Sequence, residues 1–320
     1  MSDQSRRTFL QTLAATGAIS PLAGCQAVTS QTYFQRQDLP VGIQLYTLGE
    51  LMRTDFDGTL KEVARIGYKT VEIPSYMGQT PLAMREAFDR HGLKCTSAHV
   101  GMRPGTDAEP GLTGDLAKLA DHMHVIGATY VVSPILAAPA DVVLTPPAEP
   151  TARGLARITA AMTEDHWKRL AAQLNDIGRT LKGSGIGFGY HNHNIEFVKA
   201  GDRTGLDILF AETDPGLVTF ELDVGWVAAA GADPVEIFAA HPGRFQLMHV
   251  KDIKASTTAN LELRMDPTEV GSGRLDWTKV LPAAHKAGVR EFFVEQEPPF
   301  EKGRLESATK CYNFLSTLKA

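Results

Sequence analysis

A single (β/α)8 barrel, the TIM-type α/β fold, is what this sequence predicts, on three observations. Eight short runs rich in β-branched and aromatic residues alternate along the chain with amphipathic helical patterns. The runs are almost continuously apolar, as parallel strands covered on both faces are. The 320 residues match the length of such a barrel and leave no second domain once an N-terminal segment is set aside.

The composition agrees. Hydrophobic residues make up 43% and charged ones 22%, the balance of an ordinary folded protein. A formal net charge of −5 lacks the basic footprint of a nucleic-acid binder, so no nucleic-acid partner is expected.

The chain opens on Ser5-Arg6-Arg7-Thr8-Phe9-Leu10, a short run of small and apolar residues, and Pro21-Leu22-Ala23-Gly24-Cys25. A charged head, an apolar stretch and small residues before a cut form an export signal, too short to span a bilayer. The paired arginines resemble a twin-arginine address, and Leu22-Ala23-Gly24-Cys25 resembles a bacterial lipobox. Residues 1–25 are therefore expected to engage the twin-arginine export machinery. Cys25 would become a lipidated first residue of a periplasmic protein that touches the membrane only through that anchor. Residues 26–39 are polar and read as a tether, and 40–320 as the barrel.

The strands are expected at Gly42–Tyr46, Thr70–Ile73, Lys94–His99, Tyr130–Ser133, Gly185–Tyr190, Val218–Asp223, Phe245–Val250 and Phe292–Glu295. Helical stripes follow them. Phe56, Leu60, Val63 and Ala64 stop at Gly67, Pro81–Arg90 stops at Gly92, and Leu116, Leu119, Ala120 and Met123 stop at Gly127. Trp167, Leu170, Leu174, Ile177 and Leu181 form the longest, Asp233-Pro234 opens the next, and Asp276–Ala287 and Leu305–Leu318 close the set. Ala137–Arg157 and Asp252–Arg274 are too long for minimal connections and read as loops at the barrel mouth, the first a possible lid.

In a parallel barrel, polar residues at the strands' C-terminal ends converge on one mouth. Reading that position gives Glu72, His99, His191 with His193, Asp223, His249 with Lys251, and Glu295. Buried unpaired charges are costly, so their recurrence at one end argues for a shared cation. Asp223, His249 and Glu295 suit one Mn, Zn, Co or Mg ion rather than a soft metal.

Ile43-Gln44-Leu45-Tyr46, Val71-Glu72-Ile73, Ser97-Ala98-His99, Tyr190-His191-Asn192-His193-Asn194-Ile195-Glu196-Phe197, Glu221-Leu222-Asp223, His249-Val250-Lys251-Asp252 and Val294-Glu295-Gln296 resemble, in order, the xylose-isomerase-like barrels of the sugar phosphate isomerase/epimerase group. The resemblance spans roughly residues 40 to 318. It implies one divalent metal held by Asp223, His249, Glu295 and a fourth ligand. Many relatives place Glu-Asn-His where this chain has His191-Asn192-His193, so the fourth ligand is either Glu196 or His191, with Glu196 preferred.

The expected chemistry is isomerisation or epimerisation of a sugar by proton transfer beside a metal-chelated carbonyl. Glu196 and Glu295 would exchange the proton. His191 and Lys251 would take part in the chemistry, Lys251 by stabilising an enediolate oxygen, while Glu72, His99 and His193 bind hydroxyls and Trp226 walls the pocket. Two alternatives stand beside it: a lyase or hydrolase of a 3-keto-glycoside, and an exported sugar-binding barrel without catalysis. The partner in each case is a small sugar or keto-glycoside, and an oligomer is possible. Gly271-Ser272-Gly273-Arg274 is either a phosphate-binding turn or, more simply, a loop leading into a helix.

Overall fold

The computed structural model describes residues 31–320. The export signal read over 1–25, with Arg6, Arg7 and Cys25, lies outside the described residues. Eight strands run Gly42–Gln44, Thr70–Ile73, Lys94–His99, Tyr130–Ser133, Gly187–His191, Thr219–Asp223, Phe245–Val250 and Glu291–Val294. All pair in parallel with their sequence neighbours, and the first closes the ring on the eighth through Gly42–Phe293 and Ile43–Val294. The expected (β/α)8 barrel is therefore the observed one.

Alternation along each strand sorts side chains between two environments. Ile43, Val71, Tyr190, Phe220, Leu222, Met248 and Phe292 belong to the large core shared with the helix layer. Val132, Leu247 and Phe293 form a separate apolar layer inside the barrel. Gly42 makes room for it, because a Cβ there would lie 2.7 Å from the Phe293 ring. Above that layer, toward the strands' C-terminal ends, the interior turns polar: Gln44, Glu72, Ser97, Glu221, Asp223 and His249 are all fully buried.

The first strand ends two residues early. Gln44 Oε1 accepts the Tyr46 N–H at 3.1 Å and turns the chain into a short 3-10 segment, Leu45–Leu48. The fifth strand runs one residue further than expected, to His191. The tether read over 26–39 gives way to a helix, Tyr33–Gln37, that belongs to the barrel body. The Tyr33 N–H donates to Leu318 O at 2.8 Å, its hydroxyl donates to Leu281 O at 2.9 Å, and Phe34 packs edge-on against Phe292 at 5.5 Å. Two aromatics among polar neighbours carry no periodic signal, which is why this helix escaped a pattern reading.

Both long mouth loops are partly folded. Ala152–Ala160 is a helix, capped by Thr151 Oγ1 accepting the Gly154 N–H at 3.1 Å, where the sequence suggested a loop through Arg157. After the seventh strand, Asp252–Ile253 pairs with Pro267–Thr268. The buried Asp252 carboxylate then gathers the N–H groups of Gly271, Gly273 and Leu275 and the Trp277 indole N–H, at 2.9 to 3.3 Å. Those N–H groups are occupied by the chain's own carboxylate, so the Gly271–Arg274 turn is an anchored lead into helix Trp277–Ala287 and not a phosphate cradle.

Candidate active site

The polar interior is built in two tiers. In the lower one, Glu72 Oε1 accepts from Gln44 Nε2 at 2.7 Å and lies 2.7 Å from His249 Nε2, while Oε2 accepts from the Ser97 hydroxyl. Glu221 Oε2 lies 2.8, 3.1 and 3.2 Å from nitrogens of His99, His191 and His249. Three imidazoles thus converge on one carboxylate oxygen. Burial and the neighbouring Glu72 push the Glu221 carboxyl up, against the pull of His249 and His99, to about 7.

In the upper tier, His249 Nδ1 sits 3.0 Å from Glu295 Oε2 and 3.6 Å from Asp223 Oδ2. The Lys251 ammonium, fully buried, reaches Glu295 Oε2 at 2.6 Å, Asp223 Oδ2 at 2.9 Å and Glu297 Oε1 at 2.9 Å. Gly225 lets the lysine stem through, since a Cβ there would lie 2.7 Å from Lys251 Cγ. Burial alone would neutralise these groups. For Asp223 and Glu295 it is outweighed by Lys251 and His249, which hold both carboxyls below their ordinary range. Burial disfavours charge on Lys251 too, but the three carboxylates keep it firmly protonated.

Asp223 is fixed by its second oxygen and its backbone. Its Oδ1 caps the short helix Val224–Ala229 by accepting the Trp226 N–H at 2.9 Å, and its own N–H donates to Asn192 Oδ1 at 3.0 Å. That leaves Oδ2, buried, to the Lys251 ammonium at 2.9 Å and the His249 ring at 3.6 Å, with no well-aligned hydrogen bond. Asp223, His249 and Glu295 each offer a ligand atom within 4.8 Å of the others, and His99, His191, Glu221 and His249 form a second such group. Two buried carboxylate oxygens and an imidazole nitrogen within that span are the donor types a divalent cation takes, so the expected three-residue donor set fits the geometry.

The fourth ligand is a correction. Glu196 does not join this group: its Oε1 accepts from the Tyr190 hydroxyl and its Oε2 from the His193 N–H, both at 2.8 Å. Tyr190 has the opposite parity to His191 on the fifth strand, so its partner carboxylate lies with the outward core rather than the barrel interior. Burial lifts Glu196 to about 7. Its expected roles as ligand and as proton carrier both fall. His191, whose Nε2 lies 3.8 Å from Asp223 Oδ2, is the member of the pair that the structure brings to the site.

Other expectations shift depth. Glu72 was expected to bind hydroxyls, but it is fully buried with both oxygens engaged and supports His249 from below. His99 stacks on His249 at 5.3 Å, and burial is overcome by Glu72 and Glu221, which lift it to about 9. His191 and His193 are driven the other way by burial, His193 to about 3 with help from Lys251, so both are neutral imidazoles. Trp226, expected to wall the pocket, lies 5.1 Å from the His193 ring with Lys251 Nζ 5.3 Å from its own, and lines the space outside the cavity over the donors. Glu221 and Glu297 were missed. Each stands two residues from an assigned carboxylate, Glu221 on the same strand face as Asp223 and Glu297 just past the end of the eighth strand, and that spacing of two was the available signal.

A cavity of about 230 Å³ opens over this cluster, lined by Tyr46, His99, His191, His193, Glu295 and Glu297. Against known proteins, the sequence profile of the xylose isomerase-like TIM barrel matches residues 60–311. The chain belongs to that family. An inosose dehydratase of Lacticaseibacillus casei is 25% identical over 273 residues, covering 81% of this chain and 88% of that protein. A sugar phosphate isomerase/epimerase from Parabacteroides distasonis has a TM-score of 0.67 at 24% identity, over 87% of this chain and 94% of that one. The IolI protein, crystallised with a bound zinc atom, has a TM-score of 0.58 at 13% identity, over 87% of this chain and 98% of that one. This xylose isomerase-like barrel thus stands among enzymes that modify small sugar-type substrates.

Proposed function

We propose that this barrel is a divalent-metal-assisted lyase acting on a polyhydroxylated cyclic ketone. The observation that carries it is the upper tier: Asp223, His249 and Glu295 as donors, with the Lys251–Glu297 pair 2.9 Å apart beside them and Glu297 lining the cavity. A metal held by those donors would polarise the substrate carbonyl and acidify the adjacent C–H. Glu297 lines the cavity and takes that proton. Lys251, kept protonated by its carboxylates, donates to the oxygen that leaves from the next carbon. Neutral His191 and His193 exchange hydrogen bonds with ring hydroxyls, and Trp226 bounds the site. The similarity to inosose dehydratases supports loss of water or an alcohol as the outcome, and zinc in the IolI protein supports the metal.

Isomerisation or epimerisation is the second reading, favoured by the likeness to sugar phosphate isomerase/epimerases. It uses the same proton acceptor, which then returns the proton to carbon. Incubating metal-loaded protein with keto-sugars in D2O separates the two. A lyase gives an enone absorbance and no deuterated starting material, whereas an epimerase returns deuterated sugar with no enone. Glu297→Gln is expected to lower kcat by about 100-fold or more while leaving metal content unchanged. The arginine pair and Cys25 support an exported, lipid-anchored location for this activity.

A further inference from the structure

The cavity over the metal donors is not the end of the cleft. His193 and Glu297 also line a second chamber of about 530 Å³, and Trp226 lines it beside them. The far wall is apolar: Ile135, Ala138, Leu155 and Ile158 from the segment after the fourth strand face Leu263 from the loop after the seventh. The inner cavity, about 230 Å³, has room for one sugar ring and little more. A free keto-sugar or keto-cyclitol would leave the outer chamber empty. Polar groups line this outer chamber too. Trp226 is 3% exposed yet its indole N–H has no partner, and His193 Nδ1 is likewise buried without one. A buried polar atom with no partner costs about 1–3 kcal/mol, so both are suited to a polar group of a bound ligand that reaches into the outer chamber.

We propose that the outer chamber seats the aromatic aglycone of a glycoside, which makes the substrate a keto-glycoside rather than a free sugar. This rests on the lyase reading and names its leaving group. The step balances without an added oxidant. With a ketone two carbons from the glycosidic carbon, the C–H between them loses its proton to the base, and that electron pair becomes a C=C bond. The glycosidic C–O bond breaks with its pair going to the aglycone oxygen, which takes a proton and departs as a phenol or alcohol. The ketone must already be present, so an oxidation of the sugar ring precedes this reaction.

The test is titration calorimetry of the metal-loaded full chain with 4-nitrophenyl β-glucoside and methyl β-glucoside, with free 4-nitrophenol as competitor. The aryl glucoside is expected to bind at least about tenfold tighter than the methyl one, about 1.4 kcal/mol, and 4-nitrophenol to compete. Leu155→Asp and, independently of that helix's apolar face, Ala152→Trp are expected to erase the difference while methyl glucoside binding persists. Equal affinities in the wild type, or a preference untouched by the well-folded variant of the two, would overturn the proposal. Enone formation from a keto-cyclitol, which has no aglycone, is measured in parallel. Turnover there without an aryl preference removes only the chamber, whereas an aryl preference with no enone from cyclitol or keto-glycoside upholds the chamber and removes the lyase.

Discussion

Glu196→Gln gives the sharpest reading of how the interior is partitioned. The Glu196 carboxyl is fully buried with Tyr190 OH and the His193 N–H as donors, and burial, against the pull of these hydrogen bonds, raises it from an ordinary 4.5 to about 7. The folded state therefore binds this proton more tightly than the unfolded chain does. Its stabilising contribution is complete below the unfolded value and is lost as pH rises through the folded one. Between about pH 5 and pH 8 the wild type should lose about 2.5 kcal/mol that a non-titrating glutamine does not lose. Urea denaturation of metal-free protein at the two pH values measures it. The wild-type stability minus that of Glu196→Gln should fall by that amount on going to the higher pH, whatever the other groups contribute to both proteins. If the difference is constant with pH, or grows, Glu196 is ionised in a charged site, as a metal ligand would be, and its assignment to the outward core is wrong.

Further outcomes follow from individual contacts. Phe34→Ala should destabilise the protein by about 3 kcal/mol in chemical denaturation, because the ring is buried against Phe292; a change under about 0.5 kcal/mol would return that segment to the status of a tether. Gly225→Ala places a methyl 2.7 Å from Lys251 Cγ. It should lower kcat by about tenfold or more with the metal retained, and unchanged kcat would show that Lys251 is not positioned by that helix. Gly273→Ala puts a Cβ 2.1 Å from Asp252 Oδ1 and should loosen the anchored loop, read as faster proteolysis between 253 and 276; an unchanged cleavage rate would contradict the anchoring role of Asp252.

The barrel was legible because its strands and helices carry distinct periods, and because glycines such as Gly67, Gly92 and Gly127 close helices where the pattern stops. Asp223, His249 and Glu295 were legible for a related reason: charge at the end of an apolar strand has few inexpensive explanations. Glu196 misled because it follows the fifth strand in sequence, whereas its side chain is claimed by Tyr190, one residue out of phase with the interior. Glu221 was hidden by its own motif, since Asp223 beside it accounted for the acidity. Lys251 was read as a substrate contact, and its three carboxylate partners come from two strand ends that no local pattern joins.

The central claim is that Asp223, His249 and Glu295 hold one divalent ion. Elemental analysis after chelation, reloading with Mn or Zn and gel filtration tests it most directly. About one ion per chain is expected for the wild type and for Glu196→Gln, with loss of most of it in Asp223→Asn and Glu295→Gln. A wild type that retains none, or a Glu196→Gln protein that loses its metal while Asp223→Asn keeps it, would contradict the account.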